Sequence, residues 1–114
     1  MKNAIYHITS RQGWMAAKAS GFYSTASLEV EGFIHCSKID QVLRVANAFY
    51  RNQPGLVLLE IDLDLMTSEV RWEPGSDKPD ELFPHVYGKI QVGAVARVLD
   101  FSPEPDGTFT LPTL

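Results

Sequence analysis

Apolar and polar residues alternate through "AIYHIT" (Ala4 to Thr9), with β-branched residues among them, and this period of two predicts a first strand. On a strand, successive side chains point to opposite faces, which sets Tyr6 against Ile5 and His7. Thr9 or Ser10 is placed to cap a short helix over "RQGWMAAKAS", and Gly21 is placed to stop it. The hydroxyl-rich "FYSTASLEVE" predicts a loop with one helical turn around Ala26 to Val30. "GFIHCSK" (Gly32 to Lys38) reads as a second strand, with Phe33, Ile34 and Cys36 packed inward and His35 presented outward. Phe33 and His35 share a face on a regular strand, so that face is apolar at one end and polar at the other.

The strongest helical pattern is "IDQVLRVANAFYR". Ile39, Val42, Leu43, Ala46, Phe49 and Tyr50 fall on one face, and Asp40, Gln41, Arg44, Asn47 and Arg51 on the other. Ser37 stands ahead of it as a candidate cap. After the break at "NQPG", "LVLLEIDLDL" starts as a continuous apolar run and then alternates, as a central strand does on leaving the core. "EVRWE" predicts another strand, and "EPGSDKPDE" a polar surface loop that delivers "LFPHVYGKI". "VGAVARVLDF" predicts a buried strand. The Asp-Gly signal in "PEPDGTFTLP" predicts a terminal hairpin closed by Phe109. Helices come early and strands later, which predicts one compact α+β domain with two to three helices.

The bulk numbers narrow the function. A chain of 114 residues, 45% hydrophobic and 21% charged, suits one packed domain. A net charge of −4 with scattered lysines and arginines argues against a nucleic-acid backbone or an anionic membrane surface as partner. No apolar stretch approaches the ~20 residues of a membrane span, and "MKNAIYHITS" lacks the apolar run of a signal peptide. A cytoplasmic monomer or weak homodimer is the expectation. The single cysteine, Cys36, forms no internal disulfide.

Four polar groupings are candidates for chemistry. His7, His35 and His85 could hold a metal, although no two of them stand at a metal-motif spacing, and a metal-dependent hydrolase is an alternative reading. Cys36 has His35 beside it, but neighbours on a strand face apart, so the thiol belongs in the core and His35 shares its face with Ser37. In "FPHVYG", Pro84 stiffens the approach and puts His85 and Tyr87 on one side of an extended segment. In "RWE", Arg71 and Glu73 lie opposite Trp72, and Glu73 is either a catalytic carboxylate or half of a surface ion pair.

Taken together, "IYHIT", "EGFIHCS", "VANAFY", "VRWE" and "FPHVYGKI" resemble domain-of-unknown-function family 952, over roughly Ile5 to Phe101. That resemblance implies an ADP-ribosyltransferase-like fold, a curved, split, mixed or antiparallel sheet with NAD or a related nucleotide as possible substrate. His7 matches the first-strand position that holds the dinucleotide. His35 and Ser37 match the second position, in a pattern similar to the RNA 2′-phosphotransferase branch, and Glu73 is the candidate third. The implied catalytic residues are Glu73 and His35, with His7, Ser37, His85, Tyr87 and Trp72 binding the ligand. Glu73 would stabilise positive charge on the ribose, the histidines would donate hydrogen bonds, and Tyr87, Tyr6 or Trp72 would stack on nicotinamide. A noncatalytic module for a nucleotide or other small molecule is the further alternative. No Gly-x-Gly-x-x-Gly loop is present for a Rossmann mode of binding.

Overall fold

The computed structural model describes residues 3–75 and 78–114. Strand β1 (Ala4–Ser10) runs into helix α1 (Arg11–Ser20) because the Ser10 hydroxyl accepts the Gly13 N–H at 3.0 Å and caps the first turn. Gly21 ends the helix at φ 91°, a left-handed conformation that costs a residue without Cβ nothing. The short strand β2 (Phe22–Tyr23) leads to α2 (Ala26–Glu31), capped by Thr25 and stopped by Gly32 in the same way. Then come β3 (Ile34–His35), α3 (Val42–Phe49), β4 (Leu56–Asp62), β5 (Glu69–Pro74), β6 (Leu82–Tyr87), β7 (Ile90–Gln91) and β8 (Val95–Asp100).

The described residues form an α+β domain of three helices and three antiparallel sheets, ordered β1-β4-β8, β3-β6-β5 and β2-β7. Strand β4 is central in the first sheet, and both of its faces are covered. Val57, Leu59 and Ile61 meet Ile5, Trp14, Ile34, Val86 and Ile90 on one side. Leu56 and Leu58 meet Tyr6, Ile8, Val42, Ala46, Phe101 and Phe109 on the other. Two-sided burial explains why "LVLLEI" carries no alternation. Cys36 is buried in the first of these clusters.

Four sequence expectations need correction. The "VGAVARVLDF" strand, β8, is an edge strand and its side chains are largely exposed. Phe109 closes no strand hairpin. A tight turn of two backbone bonds (Glu104 N–H to Thr108 O, Gly107 N–H to Glu104 O) swings it back to stack on Phe101, with ring centroids 4.8 Å apart. Phe33 lies outside both cores. Ser37 is not the cap of α3, since it sits five residues before the helix and exchanges both backbone bonds with Tyr6 at 2.8 Å.

Gln41, the residue just before α3, makes no side-chain cap to the helix but ties its start to other elements. It is fully buried, its Oε1 accepts the Lys38 N–H (2.9 Å), and its Nε2 donates to Glu81 (2.8 Å) and to the Leu82 carbonyl (2.9 Å). One amide therefore joins the start of α3 to the start of β6. Gln41→Leu removes all three bonds of this buried amide and is expected to destabilise the domain by roughly 1–3 kcal/mol in urea melts. A loss below about 0.5 kcal/mol would show the amide to be replaceable.

Candidate functional site

Strand β1 meets β3 at a single point, the Tyr6–Ser37 bridge. In a continued antiparallel ladder the next bonded pair would be Ile8 with His35. That ladder does not continue. The His35 carbonyl, which faces β1 because Cys36 N–H turns the other way to bond Pro84 O, is taken by the ring of His7 at 2.6 Å. A carbonyl only accepts, so His7 donates from Nδ1–H and its Nε2 must accept, here from the Tyr23 hydroxyl at 2.7 Å. The same alternation turns the N–H and C=O of Ile8 away from β4 and toward the space beside β3.

That space is a cleft of about 830 Å³ along the outer edge of β1. His7, His35, Ser37 and His85 line it, although they stand far apart in sequence. The cleft continues past the hydroxyls of Tyr23, Ser24, Thr25 and Ser27 to the apolar side chains of Phe49 and Phe83.

The four histidine-site residues differ in what they can do. His7 is buried, and burial pulls its pKa down to about 4, so it is neutral at pH 7. Both ring nitrogens are committed to protein partners, which leaves no ring N–H for a ligand. His85 is buried against Phe33, whose ring stacks on it at 4.1 Å. Its Nδ1 donates to Glu73 Oε1 at 2.9 Å, and Tyr87 O–H donates to the same oxygen at 2.6 Å. These two donors, Tyr87 first, hold the Glu73 carboxyl below its ordinary range. Among the described residues nothing bonds His85 Nε2, which reaches the surface of the cleft. His35 pairs directly across from His85, with ring centroids 5.4 Å apart, and its Nε2 lies 3.1 Å from Glu31. Two adjacent imidazoles, each beside a carboxylate, thus border one hollow.

Glu73 and Tyr87 stand one layer behind the cleft and reach it through His85. Trp72 is not brought to it. Strand alternation puts Trp72 on the face opposite Glu73, where it is 45% exposed. The position of Phe33 explains its shared face with His35, since it packs among His35, His85 and Tyr87 instead of entering the core. Sequence reasoning missed Tyr23 and Glu31, which lie in the hydroxyl-rich segment and the helix after it. Only the abundance of Ser, Thr and Tyr there hinted at a lining. Tyr6, also on the cleft, is anchored from behind by buried Glu60, which accepts from Tyr6 O–H (2.7 Å) and from Arg97 Nε and Nη2 (2.7 and 2.9 Å).

The metal alternative finds little support in this geometry, since both nitrogens of His7 are occupied. Among the described residues no three His, Cys, Asp or Glu side chains are disposed to hold an ion. No described helix is long and apolar enough to cross a membrane.

Comparison with known proteins fits this arrangement into a family. Residues 8–98 match the family described as "Protein of unknown function (DUF952)", and the chain belongs to that family. It is similar to protein CC0527 from Caulobacter crescentus, a Northeast Structural Genomics Consortium target. The crystal structure of CC0527 is 34% identical with a TM-score of 0.84, covering 95% of this chain and 94% of that one. A crystal structure of a CC0527 double mutant is 35% identical with the same TM-score and coverage. The solution NMR structure is 35% identical with a TM-score of 0.79, covering 92% and 90%. No curated protein matches the chain.

The buried neutral imidazole of His7 makes a pH prediction. Unfolded histidine takes up its proton near pH 6.5, whereas the folded ring does so only near 4. Between those values the unfolded state holds more protons, so stability falls as pH drops through this window, by up to roughly 3 kcal/mol. Urea melts from pH 7 to 4.5 should show that slope, and His7→Gln should flatten it. An unchanged slope in the variant would assign the acid sensitivity elsewhere. Long-range ¹⁵N spectra at pH 7 should also read His7 as the Nδ1–H tautomer.

Proposed function

We propose that this domain binds a ribosyl-bearing small molecule of the nucleotide class in the cleft beside β1. We infer that it transfers the ribosyl group in an ADP-ribosyltransferase-like arrangement, with NAD as a candidate substrate. The observation that carries this reading is His85, an imidazole oriented by Glu73 with its second nitrogen open to the hollow that His7, His35 and Ser37 also line. A carboxylate that fixes one ring nitrogen makes the other a directed base. In the transfer, the bond from C1′ to the nitrogen of the heterocycle breaks and the heterocycle leaves with the electron pair. An acceptor oxygen bonds C1′, and its proton passes to His85 Nε2.

Positive charge develops on the sugar as that bond breaks, and a nearby carboxylate lowers its energy. Glu31, at the rim of the cleft beside His35, is better situated for this than Glu73, which is engaged by His85 and Tyr87. Glu73 then acts as a positioning residue. His35 and Ser37 would meet the ribose hydroxyls, and the unpaired amide edge of Ile8 would meet a carboxamide or heterocycle edge. Stacking would fall to Tyr6, Tyr50 or Phe83, which border the cleft, ahead of Tyr87 and Trp72.

The test is release of free nicotinamide from NAD or from nicotinamide riboside, followed by chromatography. His85→Ala should abolish turnover, about a hundredfold or more, as loss of a directed base does. Glu73→Gln should lower kcat by a smaller factor and displace its pH profile. A melting shift with these ligands that is lost in His35→Ala, without any release by the wild type, would make the domain a noncatalytic binder instead. Release that persists in His85→Ala would remove the base assignment.

A further inference from the structure

The cleft has an unusual charge composition for a nucleotide site. Of the twenty-three described residues lining it, none is a lysine or arginine, nine carry a hydroxyl, and the one acid among them is Glu31. Phosphate groups are usually held by guanidinium or ammonium groups, or by unspent backbone N–H groups at a helix start. Lys38 and Arg51 follow the lining residues Ser37 and Tyr50 in the chain but do not themselves line the cleft, and four other arginines are held by acidic partners. Arg11 pairs with Asp100, Arg44 with Glu81, Arg97 with Glu60, and Arg71 with Glu69 while lying over the Tyr87 ring. Two helix starts border the cleft, and both carry side-chain caps: at α1, Arg11 N–H bonds Gly55 O (2.8 Å) and Gly13 N–H bonds Ser10 Oγ (3.0 Å), and at the six-residue α2, Leu28 N–H bonds Thr25 Oγ1 (3.3 Å). The histidine nearest the strand junction, His7, is neutral and fully bonded.

What remains suits sugar and heterocycle. Serine, threonine and tyrosine hydroxyls both donate and accept, as sugar hydroxyls do, so each can pair with the other in either sense. Tyr6, Tyr50 and Phe83 add aromatic surface to the lining, which suits a planar base. We propose that the cleft selects a phosphate-free riboside, a ribose bearing a planar heterocycle, and that any phosphates of a larger substrate stay outside it in solvent. This rests on the ribosyl-transfer reading above and narrows its substrate class. Glu31 acts as the selector, since a phosphate entering beside it meets like charge.

Calorimetric titration of the full chain with matched pairs tests the claim: adenosine against AMP, and nicotinamide riboside against its 5′-phosphate, with NAD alongside. The riboside of each pair should bind at least as tightly as its phosphate. Glu31→Lys, at an exposed position where folding is not at stake, should shift the ratio toward the phosphate by about tenfold at low salt, and less at high salt. Glu31→Gln should shift it part of the way. A phosphorylated member that binds clearly tighter, or a ratio that Glu31→Lys leaves unmoved, would overturn the inference and leave the ribosyl reading standing. Binding by no member of the panel would remove both.

Discussion

The architecture turns on one buried imidazole. His7 occupies the place where the β1–β3 ladder would make its next bond, and its ring, in place of the Ile8 amide, takes the His35 carbonyl. A side chain fills more space than a backbone N–H, so the two strands part there and do not close into one sheet. The same ring accepts the Tyr23 hydroxyl, which ties β2 to the junction. Because a buried polar group is costly when unpaired, the ring is constrained: its tautomer and orientation follow from its two partners, and its neutrality from burial. The parting of the strands is what creates the cleft, and the cleft is where the remaining functional side chains meet.

Behind that junction stands a second set of polar contacts that orients without touching the hollow. Tyr87 and Glu73 aim His85, and Arg71 lies over the Tyr87 ring while pairing with Glu69. On the other side, Arg97 and Glu60 hold Tyr6 by its hydroxyl. Both sets place the carboxylate and guanidinium away from the cleft and send an imidazole or a phenol ring toward it. The outcome is a lining rich in hydroxyls and imidazoles and poor in fixed charge, unlike the acidic surface of the whole chain. A protein can thus be strongly hydrated outside and hold a nearly uncharged site, provided its ion pairs are spent on positioning.

Much of the fold was legible in the residues themselves. The Ser10 cap and the Gly21 stop of α1 follow from local backbone chemistry, and so does the helical turn near Ala26. The amphipathic face of α3 and the apolar run of β4 announced a helix on a two-sided sheet. Reading failed where a residue's partner was distant. Ser37 looks like a cap because hydroxyls before a helix usually are, yet its backbone is claimed by Tyr6, and the start of α3 is instead held by Gln41 through contacts some forty residues away. The β8 segment looks buried because its composition is that of a core strand, and nothing local reveals that its side chains are left largely exposed in the packed domain.

The candidate site divides along the same line. Alternation on single strands put His35 with Ser37, His85 with Tyr87, and Trp72 opposite Glu73, because a period of two is a local property of the extended chain. Which strands lie side by side is settled by burial across the whole domain. Only the packed structure could therefore bring His35 opposite His85, set Glu73 under both His85 and Tyr87, and add Tyr23 and Glu31. The same holds for His7. Its place on the first strand was readable, but its neutrality and its full complement of bonds arise from neighbours contributed by β2 and β3.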